Sequence, residues 1–274
     1  MKRTLPIALI ALLCGGCHHD HALFSERQPS AARDAAVGEG DGLPPAPPAC
    51  APPIEQPTCR MVAEETAPGG SVIDNFDDGD LVIARVEGRD GVWLQSHDDT
   101  PGARHFPDAL AVTTVTNCGS APFVRISGCG HQRFTLLRLD FHQASIVNQA
   151  YYSEPVDVSR WRGVSFWARS STNATVRVRF PDVNTDPRGG VCNSDGDEVG
   201  PDVGCFNDFA ADVRLAPSWQ RYEVRFSELA QLPWFGLKVP SFEPRQVYGI
   251  AFSMPLAQQA PEGYEVSLDD LAFF

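Results

Sequence analysis

The chain reads as an all-β protein, a two-sheet β-sandwich of jelly-roll type. Three observations predict it. From Ser71 onward, short runs rich in Val, Ile, Phe, Trp and Thr are separated by Gly, Pro, Asn and Asp, the pattern of many short strands joined by turns. Two six-residue stretches, Thr175-Val176-Arg177-Val178-Arg179-Phe180 and Arg221-Tyr222-Glu223-Val224-Arg225-Phe226, alternate polar and apolar side chains, as strands with one buried face do. No stretch keeps a helical period beyond two turns, and 23 Gly with 23 Pro favour turns over long helices.

Strands are expected at residues 72–76, 92–96, 123–127, 134–141, 163–168, 175–180, 221–226, 248–253 and 265–273. Gly163-Val164-Ser165-Phe166-Trp167-Ala168 is mostly apolar, so it is expected inside a sheet, with neighbours on both sides. Trp161, Trp167 and Trp219 fall in strand patterns and are expected to pack against the core.

Ahead of this domain lie two segments of different character. Met1-Lys2-Arg3-Thr4 is basic, residues 5–13 are apolar, and Cys14-Gly15-Gly16-Cys17 comes next. A charged start, a short apolar run and small residues before a cysteine read as an export signal. The run falls short of the roughly 20 apolar residues that span a bilayer. Its Gly-Gly-Cys ending resembles the bacterial lipoprotein signal, which implies cleavage before Cys17, lipidation of Cys17 and membrane anchoring through several acyl chains. Residues 18–70 then read as a tether: His18-His19-Asp20-His21, followed by Ala, Asp and Gly, then Pro44, Pro45, Pro47, Pro48, Pro52, Pro53 and Pro57. Such a segment cannot bury a core and behaves as an extended spacer. Residues 71–274 form the folded domain. The expected location is extracytoplasmic, on the cell envelope, at the outer membrane or cell surface.

Export changes how the cysteines read. Six remain in close pairs: Cys50 and Cys59, Cys118 and Cys129, Cys192 and Cys205. An even number in an oxidising compartment points to disulfides, and local pairing closes three short loops, although six cysteines allow fifteen connectivities. The chain's net charge of -13 repels phosphate backbones and argues against nucleic acid as a partner.

Six motifs, in order, carry a family likeness: Ile73-Asp74-Asn75-Phe76-Asp77-Asp78-Gly79-Asp80; Gly88-Arg89-Asp90-Gly91-Val92-Trp93; Asp157-Val158-Ser159-Arg160-Trp161-Arg162-Gly163-Val164-Ser165-Phe166-Trp167-Ala168; Ser218-Trp219-Gln220-Arg221-Tyr222-Glu223-Val224-Arg225-Phe226; Val247-Tyr248-Gly249-Ile250-Ala251-Phe252; and Val266-Ser267-Leu268-Asp269-Asp270-Leu271-Ala272-Phe273. The series resembles the galactose-binding-like jelly rolls, and among them the carbohydrate-binding modules of family eleven. The resemblance spans the folded domain. It implies a non-catalytic, glycan-binding module. It also implies a structural calcium between the first and last strands, with Asp77 and one of Asp269 or Asp270 as ligands, since calcium takes several hard oxygen donors.

Two further stretches, 182–186 and 193–197, place oxygen side chains at alternate positions. Pro187 and Glu198 stand where a calcium loop needs its turn glycine, so a turn-rich loop stapled by Cys192 and Cys205 is expected there.

Sugars present C–H faces that stack on aromatic rings, while their hydroxyls need polar neighbours beside the ring. Trp93 with Gln95 and His97, Tyr151 and Tyr152 ahead of Ser153 and Glu154, and Trp234 beside Phe235 fit that mixture. Catalytic signatures do not emerge: Gly163-Val164-Ser165-Phe166-Trp167 lacks the closing glycine of a nucleophile elbow, and no His-Glu-x-x-His occurs. An adhesion role toward a protein or envelope component, or a glycan-active enzyme with two carboxylates across a cleft, stand as alternatives.

Overall fold

The computed structural model describes residues 70–114, 122–143, 145–147, 150–193 and 203–274, and of 145–147 and 150–152 the backbone alone. Within them, fourteen strands succeed one another in chain order: β1 (Ser71–Asp74), β2 (Trp93–His97), β3 (Arg104–Phe106), β4 (Val112–Thr113), β5 (Phe123–Cys129), β6 (Thr135–Asp140), β7 (Ser145–Val147), β8 (Ala150–Tyr152), β9 (Gly163–Arg169), β10 (Thr175–Phe180), β11 (Phe209–Arg214), β12 (Gln220–Arg225), β13 (Gly249–Ser253) and β14 (Tyr264–Phe273). Among the described residues the only helical pieces are single 3-10 turns, such as Pro187–Gly189 and Phe226–Glu228.

Twelve of these strands form two antiparallel sheets, the expected β-sandwich. The seven-stranded sheet runs β12-β9-β14-β5-β3, with β1 on β14 and β4 on β5; the five-stranded sheet runs β11-β10-β13-β6-β2. Strand β9 has neighbours on both sides, β12 and β14, as its apolar run implies. All nine expected strands form. Strands β3, β4, β7, β8 and β11 are additional. Strand β11 reads Phe-Ala-Ala-Asp-Val-Arg, where two alanines and an aspartate dilute the β signal; its pairing with β10 makes it a strand.

The core lies between the sheets. From the five-stranded sheet come Trp93, Leu137, Leu139, Val176, Val178, Phe180, Ile250 and Phe252; from the other come Val124, Ile126, Val164, Phe166, Val224, Tyr264, Val266 and Leu268. Phe252 is the meeting point, with its ring 6.2 Å from Trp93 and 5.3 Å from Phe166. Burying each such side chain stabilises the fold by about 1.5–3 kcal/mol. Trp161 stacks on Phe273 at 4.4 Å, and Trp219 meets Phe123 edge-on at 5.2 Å. With Trp167 they are half-buried: Trp161 packs against the core as expected, whereas Trp167, out of phase with buried Phe166, stands on the outer face of its sheet.

The alternation along β10 has a second consequence. With Val176, Val178 and Phe180 inward, Thr175, Arg177 and Arg179 stand on the outer face of the five-stranded sheet. Register then sets their neighbours. Arg177 lies opposite Asp212 on one side and Ser253 on the other, and Ser253 lies opposite Leu136. One row of residues thus crosses four strands on the outer face. This face is where the site forms.

Candidate functional site

A groove enclosing about 1140 Å³ runs over the outer face of the five-stranded sheet. Its floor carries Arg177, Arg179 and Ser253, with Asp208, Asp212 and Arg214 alongside; its walls come from the segments around Ser171, Trp234 and Gln259. The floor is polar and held in place. Arg179 donates through Nε to Asp208 Oδ2 at 3.1 Å and through Nη1 to Ser253 Oγ at 3.3 Å. Arg177 donates through Nη1 to Asp212 Oδ1 at 3.0 Å and through Nη2 to the Ala230 carbonyl at 3.2 Å. Asp208 is 5% exposed, and its Oδ1 has no hydrogen-bond partner; neither has the buried hydroxyl of Ser171. Two orphaned polar atoms on residues lining one groove are unusual, because buried polar groups nearly always find partners.

The groove's aromatic wall is Trp234, 53% exposed. Its loop is pinned by two amide side chains. Asn207 donates to the carbonyls of Leu232 and Leu237 and accepts from the Leu232 amide; Gln231 donates to the carbonyls of Asn207 and Leu237 and accepts from the Val239 amide. Gly236 has φ 57°, and a Cβ there would come within 2.8 Å of Asn207 Cβ, so glycine lets the two segments meet. The neighbouring loop is closed by the Cys192–Cys205 disulfide, one of the three expected pairs. Behind the Ser171 wall, buried Glu265 accepts from the Ser171 amide at 2.9 Å, from Arg125 Nε at 3.0 Å and from Ser267 Oγ at 2.8 Å. That carboxylate ties the Ser171 loop to the second sheet.

The structure redistributes the residues expected to bind a ligand. Trp234 lines the groove. Trp93 corrects its expectation: it is 2% exposed, and its Nε1 donates to Asp74 Oδ2 at 2.6 Å. A ring sealed in the core offers no face to a sugar. Gln95 is likewise spent within the fold, donating to the carbonyls of Pro107 and Asp108 and accepting from His105. His97 is exposed but stands outside the groove, its ring 4.9 Å from His105 and 5.1 Å from His131. Tyr151 and Tyr152 lie in β8, and their side chains are outside the described residues, as are Cys17, Cys50, Cys59 and Cys118. Cys129 is disulfide-bonded.

Asp77 sits in an exposed turn and accepts from Asn75 Nδ2 at 2.6 Å. Asp269 is fully buried in β14, and Asp270 beside it has φ 46° at a register shift. Among the described residues no three His, Cys, Asp or Glu side chains form a metal-binding group. In the 182–186 stretch the carboxylates build turns. Asp182 accepts from the amides of Asn184, Thr185 and Glu243. Asp186 caps the 3-10 turn and pairs with Arg138 and Arg188.

Sequence reasoning passed over Arg177, Arg179, Asp208, Asp212 and Ser253. Arg177 and Arg179 were visible as the polar phase of an alternating strand, which by itself reads as a solvated face.

No family model matches the chain, and no curated protein matches it in sequence. Among solved structures it is similar to the family 11 carbohydrate-binding module of the cellulosomal cellulase Lic26A-Cel5E of Clostridium thermocellum, at 15% identity and TM-score 0.44, over 75% of this chain and 94% of that one. It is similar to the family 30 module of the cellulase Cel9D-Cel44B of the same organism, at 14% and 0.46, over 75% and 96%. A family 61 module in complex with β-1,4-galactotriose matches at 13% and 0.34, over 73% and 93%. Further matches cover 21% of a Streptococcus pneumoniae glycoside hydrolase chain and 25% of a Parabacteroides distasonis β-1,2-glucanase. The fold is a two-sheet β-sandwich.

Proposed function

We propose that this protein is a non-catalytic glycan-binding protein whose binding site is the groove on the five-stranded sheet. One observation carries the reading: an exposed indole, Trp234, stands at the wall of a groove whose floor is the Arg179–Asp208 pair. A pyranose ring laid against Trp234 gains the stacking contact that sugars make through their C–H faces. Its hydroxyls then meet donors on Arg177 and Arg179 and acceptors on Asp208, Asp212 and Ser253. A concave polar groove with an aromatic wall suits a chain of sugars better than it suits the flat apolar patch of a protein partner.

The chain's start supports envelope display. Lipidated at Cys17 and held off the membrane by residues 18–70, the domain would face its ligand from an extended tether. Replacing Cys17 by serine should move the protein from the membrane to the soluble fraction; unchanged fractionation would rule the anchor out.

The binding claim is tested by affinity electrophoresis of the full chain against a panel of neutral and acidic polysaccharides, with Trp234→Ala alongside. At least one polysaccharide should retard the wild type, and the variant should bind it roughly tenfold or more weakly. A panel that retards neither protein, or a retained ligand that Trp234→Ala does not weaken, overturns the reading.

A further inference from the structure

The residues around His97 form a second polar cluster, outside the groove lining. At its centre is Asp98, buried at the end of β2. Its Oδ2 accepts from the amides of Gln132, Arg133 and Phe134 at 3.0, 2.5 and 3.0 Å. Its Oδ1 accepts from the Thr100 amide at 3.0 Å and from His131 Nδ1 at 3.1 Å. Four backbone amides already donate to this carboxyl group, so it accepts from His131 as well: the proton sits on Nδ1, and in the neutral ring the lone pair is on Nε2. His131 is 2% exposed, and that Nε2 has no hydrogen-bond partner.

His97 is oriented by the same residue. Its Nδ1 lies 3.0 Å from the backbone carbonyl of Asp98. A carbonyl only accepts, so His97 also bears a proton on Nδ1, and its neutral ring has the lone pair on Nε2. The two rings stand 5.1 Å apart, centroid to centroid. Zinc bonded to imidazole at about 2.0–2.1 Å in tetrahedral geometry places two ring centroids about 5 Å apart. A carboxylate or carbonyl holding the far nitrogen is the usual support of a metal-bound histidine.

His105 differs. Its ring lies 4.9 Å from His97 and 6.0 Å from His131, but both its nitrogens are spent. Gln95 turns its Nε2 toward the carbonyls of Pro107 and Asp108, so its Oε1 receives the His105 Nε2 proton at 3.1 Å. His105 Nδ1 then accepts from the Tyr264 hydroxyl at 3.0 Å. A packing role accounts fully for His105. It leaves the buried Nε2 of His131 unexplained.

We propose that His97 and His131 hold one divalent transition-metal ion of the zinc–copper class through their Nε2 atoms, with Asp98 orienting both rings. Imidazole nitrogen suits these ions. With two protein ligands the remaining positions belong to water or to an exogenous ligand on the exposed, His97 side. Neither His97 nor His131 lines the groove, although Arg133 and Phe134, whose amides hold Asp98, do.

Isothermal titration of the full chain with zinc chloride tests it. His18, His19 and His21 are first replaced by alanine, so that the tether's imidazoles do not contribute. One equivalent of zinc should bind, and His97→Ala, a change at an exposed ring, should weaken binding roughly tenfold or more. Nitrogen-15 spectra of the imidazoles give an independent readout: zinc should shift the Nε2 resonances of His97 and His131 and leave those of His105. Absence of binding, binding unchanged by His97→Ala, or uptake without a shift at His131 each overturns the proposal.

Discussion

Trp93 and Trp234 make an instructive pair. Both are tryptophans with polar or turn-forming residues close by in the chain, and both fit the composition of a sugar platform. Trp93 ends 2% exposed and Trp234 53%. The difference lies in what each backbone segment does. Trp93 opens a strand, and strand alternation turns it between the sheets, where Phe76 and Phe252 pack against it. Its same-phase neighbours Gln95 and His97 continue toward the open end of the sandwich, where the core gives way to bonded polar groups. Trp234 lies in a loop held by Asn207 and Gln231, and the loop has no inner face to bury it. Polar company in the sequence thus marks either a ligand-facing ring or the rim of a core.

The comparison can be broken most forcefully at Trp93. Trp93→Ala should cost about 3–5 kcal/mol of stability, as removal of a buried aromatic does, read by chemical denaturation. It also strips Asp74 of its indole donor. A loss under about 1 kcal/mol would mean that the ring is not part of the core. Trp234→Ala should leave stability within about 0.5 kcal/mol and act on binding alone.

The polar end beyond Trp93 gives the next effect, and it depends on pH. Burial, reinforced by electrostatic repulsion from the neighbouring His97 and His131, holds the His105 pKa at about 4 against 6.5 unperturbed. The unfolded chain takes up a proton first, so this contribution to stability is present above pH 6.5 and lost as pH falls through about 4. Asp74 runs the other way. Burial, opposed by bonds from Phe76 and Trp93 and aided by Asp78, pushes its pKa up to about 6 from 3.8; stability present below 3.8 is lost as pH rises through about 6. The two windows overlap and partly cancel in the wild type. Against His105→Gln, the wild type should lose roughly 3 kcal/mol more between pH 6.5 and 4, measured by denaturation at a series of pH values. Parallel curves would show that His105 is not held neutral.

Much of the scaffold is legible before any coordinates. Alternation in 175–180 and 221–226 names the strands and their buried faces, and the apolar run at 163–168 marks a strand covered on both edges. Strand β11 is not legible, because Ala210, Ala211 and Asp212 carry little β preference and are ordered by pairing with β10. Of the site, Trp234 can be nominated from its neighbours and Cys192–Cys205 from spacing. Arg177 and Arg179 can be placed on an outward face, but the loops that turn that face into a groove are remote in sequence.

Local chemistry along the chain therefore determined the strands, their inward phases and the stapled loop. Tertiary structure decided which outward face became a groove and which aromatic faced it. It also decided that Asp98 and His131, 33 residues apart, would be joined by a hydrogen bond. These outcomes depend on register between strands and on loops meeting across the sheet. Such contacts join residues far apart in the chain, and no local pattern of side chains encodes them.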